Sequence, residues 1–210
     1  KYGQAARLAA AGIRVVMPDL RAHGDSARPH DPAAYPPDVL AADAEALLTH
    51  LGVGDGGYDL GGYSLGARTA IRMVIRGARP RRLVAAGMGL DGMLDTGARA
   101  VHFRHVLTGL GTHQRLSGAW MAEQFLKTTG GDPEALLPLL GSFVDSGRDE
   151  LAAVTMPTLV VAGVDDDDNG PAQALAEALP DAIYRGIPGN HMNAVTRPEL
   201  GEEIVRFLTA

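Results

Sequence analysis

Five short apolar runs alternate with helical patterns along this chain, and that alternation is the sequence sign of a parallel sheet covered by helices. The runs occupy residues 13–17, 58–63, 82–86, 158–162 and 182–187. Helical patterns lie at 2–11, 38–51, 65–76, 172–179 and 198–208. In the second of these, Val39, Leu40, Leu47, Leu48 and Leu51 gather on one helix face, which is expected to pack on the sheet. Between Asp91 and Asp149 the alternation stops. Helical stretches at 102–107, 119–127 and 133–140 are separated by Gly-rich turns, with no good strand among them. The expected organisation is an α/β core over 1–90 and 151–210, with a helical cap insert over 91–150. At 210 residues and 46% hydrophobic content the chain can bury one such core.

At the junction of run 58–63 and helix 65–76 stands Gly62-Tyr63-Ser64-Leu65-Gly66, a G-x-S-x-G pentapeptide. A serine hydroxyl is a poor nucleophile until a base takes its proton and the backbone exposes it. A sharp strand-to-helix turn supplies the exposure, with glycines on either side where a Cβ would collide with neighbouring backbone. The N–H of the next residue, Leu65, then opens a helix and can receive a developing negative charge. In a chain with 27 glycines the pentapeptide alone is weak, and a glycine-rich turn with an incidental serine is the plain alternative. The strand before it and the helix after it carry the reading.

Three further segments fall into order around it. Residues 17–26 read Met17-Pro18-Asp19-Leu20-Arg21-Ala22-His23-Gly24-Asp25-Ser26. Run 158–162 empties through Gly163 and Val164 into Asp165-Asp166-Asp167-Asp168, and run 182–187 leads into Pro188-Gly189-Asn190-His191. With the elbow, these segments resemble the α/β-hydrolase superfamily, in its single-domain serine esterase and haloperoxidase-like branch, over nearly the whole chain. Residues 19–26 match that family's D-x-x-G-H-G-x-S segment with Ala22 in place of glycine.

The resemblance implies a mostly parallel, doubly wound sheet and a triad in the chain order serine, acid, histidine. It maps the nucleophile onto Ser64, the base onto His191 and the acid onto Asp166, three residues after Gly163. Asp165 and Asp167 remain alternatives within the run, most of which is expected to be a solvated acidic turn. His23 precedes the serine and is expected to brace its own loop. The resemblance also implies an oxyanion hole with Leu65 as one donor and a loop after the third strand as the other. That loop would precede helix 2–11, so the chain is expected to be N-terminally incomplete, without its first strands and second donor, and with one sheet edge unpaired.

The expected function is cleavage of a carboxylic ester or related acyl compound, with no cofactor and no metal. Carbon–carbon bond hydrolysis, lactone opening and perhydrolysis use the same triad, and a small-molecule receptor or a silent α/β-hydrolase fold are further alternatives. A serine at the elbow is inconsistent with the dehalogenase and most epoxide hydrolase branches, which use aspartate. Met93, Leu94, Phe103, Leu107, Trp120, Met121 and Phe125 are the candidate pocket residues, and their apolar character points to a hydrophobic small-molecule substrate.

Other readings are weaker. A formal charge of −6 argues against nucleic-acid binding, and the densest basic cluster, Arg79, Arg81 and Arg82, reads as a solvated turn. No apolar run approaches the roughly 20 residues that span a bilayer, and a cytoplasmic location is expected. The absence of cysteine excludes disulfides and thiolate metal sites. Asp165-x-Asp167-x-Asn169-Gly170 resembles the start of a calcium loop, but its last position is Ala176, with Glu177 one residue late. Two G-x-G-x-x-G matches, at Gly52 and at Gly87, lack the strand context or the later acidic residue of a dinucleotide site. His102 and His105 lie at i,i+3 without a suitably spaced carboxylate, and with His113 are expected on a surface or pocket wall. The oligomeric state is not legible.

Overall fold

Four short strands lie parallel in the order in which the chain makes them: β1 (Leu60–Tyr63), β2 (Leu83–Ala86), β3 (Thr158–Gly163) and β4 (Ala182–Ile187). They come from a computed structural model that describes residues 2–210. Leu83 stands opposite Leu60 and Thr158, and Thr158 opposite Ala182, so the strands start level. Parallel neighbours need crossovers. Helix α3 (Leu65–Ile75) links β1 to β2, and α9 (Ala172–Ala178) links β3 to β4.

Both faces of the central strands β2 and β3 are buried, and the period of two decides which residue serves which face. Leu83 and Ala85 of β2, with Val160 and Ala162 of β3, pack with Ala67, Ala70, Ile71 and Val74 of α3 and with Leu175 of α9. Val84, Ala86, Leu159 and Val161 face the other way, onto Leu200 and Leu208 of α11 (Pro198–Thr209) and Leu8 of α1 (Gln4–Ala10). The fold is therefore α/β and doubly wound.

Run 13–17 forms no strand. Its residues enter no ladder among the described residues, and Val16 and Met17 are 48% and 69% exposed. β-branched side chains favour a pleated backbone, but a strand also needs a partner, and among the described residues β1 pairs only with β2. Helix α2 (Val39–His50) matches its expected span, but burial is concentrated at its start, in Val39, Leu40 and Ala41, while Leu51 is exposed. Three short helices have no counterpart in the sequence reading: α4 (Leu90–Leu94), α8 (Arg148–Leu151) and α10 (His191–Ala194). Each is too short to show a helical period.

The strands belong to one compact unit, made of the chain up to Val16, 44–94 and 146–210. A second unit consists of 17–43 and 95–145. Its helices are α5 (Thr96–Thr108), α6 (Gly118–Thr129) and α7 (Pro133–Leu140), with α5 packed on both others. Each begins at a residue whose side chain accepts from first-turn N–H groups: Asp95, Ser117 and Asp132. Within this unit Asp38 N–H donates to Ser142 O at 2.8 Å, and Arg28 Nη1 to Gly130 O at 3.1 Å. Ala22 is wholly buried with φ 67°, the left-handed backbone that glycine would adopt without steric cost.

His30 lies 2.9 Å from Asp132 and 3.1 Å from Glu134. The hydrogen bond to Asp132 raises the His30 pKa above its ordinary value, and the same bond lowers that of Asp132. A base with a raised folded pKa adds stability below its unfolded pKa, and that stability is lost as pH rises through the folded value. His30→Gln should therefore melt below the wild type at about pH 6 and together with it by about pH 9. Equal melting temperatures at both pH values would show that the pair contributes nothing.

Candidate active site

Ser64 follows the last residue of β1 and precedes the first of α3. Its backbone has φ 53° and ψ −111°, outside the ordinary regions for an L-residue. Such a conformation costs on the order of 1–3 kcal/mol and persists only where its surroundings hold it. Here Ser64 N–H donates to Ala86 O at 2.8 Å, and Arg68 N–H to Ser64 O at 3.0 Å. Serine in the N-cap position usually accepts from the first turn of its helix. Ser64 makes no such bond; its hydroxyl lies 2.9 Å from His191 Nε2.

The two glycines of the pentapeptide are not equivalent. A Cβ on Gly62 would stand 2.2 Å from the carbonyl carbon of Gly66 and 2.7 Å from Ala67 N. On Gly66 a Cβ would meet nothing within 4 Å. The close approach therefore runs from the strand side into the helix start, and only Gly62 is sterically demanded. Gly62→Ala should cost about 3 kcal/mol, because the obstructing atoms are backbone and cannot turn aside. For a chain of this length that corresponds to a melting temperature lower by about 6–12 °C. An unchanged melt would mean that α3 can slide along the strand.

His191 opens α10, where Asn190 accepts from Met192 and Asn193 N–H, both at 3.2 Å, and Asn193 Oδ1 accepts from Asn190 N–H at 2.8 Å. This reciprocal capping fixes the single turn that carries the imidazole. Nδ1 of His191 lies 2.9 Å from Asp166 Oδ2 and 3.1 Å from Oδ1. The side chains are 9% and 3% exposed, so water competes little for these contacts. Among the four consecutive aspartates, Asp166 is thus the one against the histidine. Asp165, Asp167 and Asp168 are exposed.

The loop that carries Asp166 is clamped to the turn after β2. The buried Asn169 donates from Nδ2 to Gly87 O at 2.9 Å, and Gly92 N–H donates to Asn169 O at 2.9 Å. A Cβ on Gly89 would stand 2.0 Å from Gly170 O. Protein backbone therefore occupies the space beside the second G-x-G-x-x-G match. Tyr63 donates from its hydroxyl to His191 O at 2.7 Å. Burial first, then the negative charges of Asp166 and Asp168, push its phenol far above the ordinary range, so it remains a donor. Sequence reasoning met Tyr63 and Asn169 only as members of motifs and gave neither a part in this arrangement.

The other expected site residues lie as follows. Leu65 is the first residue of α3, where N–H groups have no acceptor inside the helix. Met93 is fully buried in the core cluster with α3 and α9, and Leu94 packs against that cluster. In the second unit Leu107 is buried, Phe103 and Trp120 are half-buried, and Met121 and Phe125 are 57% and 48% exposed. His23 Nδ1 is 3.0 Å from Arg21 O, within its own loop. The rings of His105 and His113 lie 5.1 Å apart between centroids, inclined at 59°, and His113 Nε2 is bonded to Val106 O. Among the described residues no three His, Asp or Glu side chains converge as a metal site, and no helix is long and apolar enough to cross a membrane.

Chemically, a hydroxyl, an imidazole and a carboxylate in line can relay a proton from the hydroxyl to the ring while the carboxylate stabilises the charged ring. The model of the alpha/beta hydrolase family matches residues 3–200. Among solved structures, the chain is similar to a bromoperoxidase from Bacillus anthracis: 23% identity, TM-score 0.74, covering 99% of this chain and 86% of that one. An enol-lactonase from Burkholderia xenovorans LB400 gives 22%, 0.73, 100% and 87%. An esterase from Exiguobacterium antarcticum gives 18%, 0.77, 99% and 85%. At such identities the likeness is one of fold. No curated protein sequence matches the chain.

Proposed function

Because the chain belongs to the alpha/beta hydrolase family, we propose that it is a serine hydrolase that cleaves a carboxylic ester or related acyl compound through an acyl-enzyme on Ser64. The observation that carries this reading is the unbroken line from Ser64 Oγ through the His191 ring to Asp166, with 2.9 Å at each junction.

Ser64 Oγ attacks the acyl carbon as its proton passes to His191 Nε2, and Asp166 stabilises the imidazolium. The Leu65 N–H, at the positive end of α3, donates to the carbonyl oxygen as it gains charge. The tetrahedral species expels the alcohol, which leaves with the proton from His191. Water, deprotonated by the same ring, then releases the acid and restores Ser64. Lactone opening and carbon–carbon bond hydrolysis draw on the same groups with water as acceptor, and perhydrolysis with hydrogen peroxide in its place. The insert of residues 91–150 is apolar at Phe103, Trp120, Met121 and Phe125, a composition that fits a hydrophobic acyl or alcohol group.

A fluorophosphonate probe should label the protein on Ser64, and p-nitrophenyl esters of intermediate chain length should be hydrolysed faster than the acetate. Failure to label sinks the serine hydrolase. Labelling together with preference for acetate over every longer chain sinks only the hydrophobic substrate.

A further inference from the structure

We propose that Tyr63 is a positioning residue for the base: its hydroxyl, donating to the His191 carbonyl at 2.7 Å, ties the turn that carries the imidazole to the strand that carries the nucleophile. The proposal rests on the reading of His191 as the base.

The capping bonds of Asn190 and Asn193 act within the turn of α10 and shape it, but they do not attach it to the sheet. The Tyr63 bond does so from the strand of the elbow, joining residues 128 positions apart, beside the Asp165 N–H bond to Gly189 O at 3.0 Å and the burial of Ala194 in the cluster with Leu159 and Val161 of β3. The Tyr63 ring also lies 5.4 Å from the His191 ring, inclined at 42°, so hydroxyl and ring meet the same residue from its backbone and its side chain. Space for the ring is made at the end of β2. A Cβ on Gly87 would stand 2.6 Å from Tyr63 Cζ. Burial raises the phenol's pKa, which keeps the hydroxyl in its donor form.

Proton transfer between Ser64 and His191 needs the two atoms in hydrogen-bond reach, and small misplacements are costly. Because Tyr63 and Ser64 are consecutive, any movement of the elbow carries both ends of the arrangement together. Nucleophile and base are then held in register by one dipeptide.

The test is Tyr63→Phe, which keeps the ring and its packing and removes one O–H. Two measurements are made on wild type and variant. The first is the low-field proton resonance of His191 Nδ1–H, shared with Asp166, followed by NMR on protein with 15N-labelled histidine. The second is kcat and KM for a p-nitrophenyl ester, normalised to Ser64 titrated with fluorophosphonate. The proposal expects the resonance to broaden through solvent exchange in the variant, and kcat to fall roughly tenfold with KM within about twofold.

Wild-type resonance and wild-type kcat in the variant would overturn it. So would a lower melting temperature with an unchanged kcat per titrated serine, which marks a residue that only packs. Absence of the resonance from the wild type would overturn it too, since there would be no held imidazole to position. The NMR measurement needs no turnover. A wild type that shows the resonance and hydrolyses no ester would sink the proposed reaction, while the variant's resonance would still decide the role of Tyr63.

Discussion

Ser64→Ala should lower ester turnover by roughly 10⁶-fold while leaving the melting temperature close to that of the wild type. The two halves of that expectation have separate causes. Activity falls because the attacking atom is gone and the reaction is left with whatever bound water and the Leu65 N–H can supply. Stability holds because the strain at position 64 lies in the backbone, at φ 53° and ψ −111°, and alanine carries the same Cβ through it. The hydroxyl does not cap α3, so its removal costs the helix nothing. Adding His191→Ala to Ser64→Ala should change little, since a base without a nucleophile has no proton to take. Steady-state kinetics and thermal melts on the single and double variants check this. Residual activity within about a hundredfold of wild type would point to another nucleophile.

Asp166→Asn should reduce kcat by about 10⁴-fold. The replacement is isosteric, so the ring stays where it is, and the loss is one of tautomer. Asp166 accepts from Nδ1–H, which leaves Nε2 bare to receive the serine proton. An asparagine amide turned the other way donates to Nδ1, and the hydrogen on Nε2 then faces Ser64. The neighbours provide the control. Asp165 and Asp167 are exposed, and their asparagine variants should keep wild-type kcat. Equal losses at all three positions would mean that the run acts through its summed charge and that no single carboxylate orients the ring.

What the sequence made legible was what is local. The strand-to-helix passage at Ser64 needs only a short window, and β1 to β4 fall within two residues of the apolar runs that announced them. Run 13–17 failed because strand propensity says nothing about a partner. The four aspartates are alike as letters; the resemblance named Asp166 by its distance from Gly163, and the backbone path, with Asp166 N–H bonded to Gly163 O at 3.1 Å, is what carries that one to His191. Asn169 reads as a turn residue until Gly87, 82 positions away, is seen to need its amide. Tyr63 reads as an ordinary aromatic strand residue, because its hydroxyl finds a use only once the chain has returned at residue 191. The alanine at position 22 was visible as a departure from a glycine pattern. That it holds a left-handed backbone in full burial was not.

The parallel order of the sheet has a consequence for the way the protein is made. Each strand pairs with the next one synthesised, and the turn that carries His191 follows β4. Ser64 leaves the ribosome 127 residues ahead of the imidazole it is bonded to. Pairings of that range close late, because the entropy of a long loop is lost before any contact compensates it. On the proposed mechanism Ser64 therefore stays an ordinary alcohol until residue 191 has been made and folded back. A nascent molecule that stops short of it would carry the serine without the means to use it.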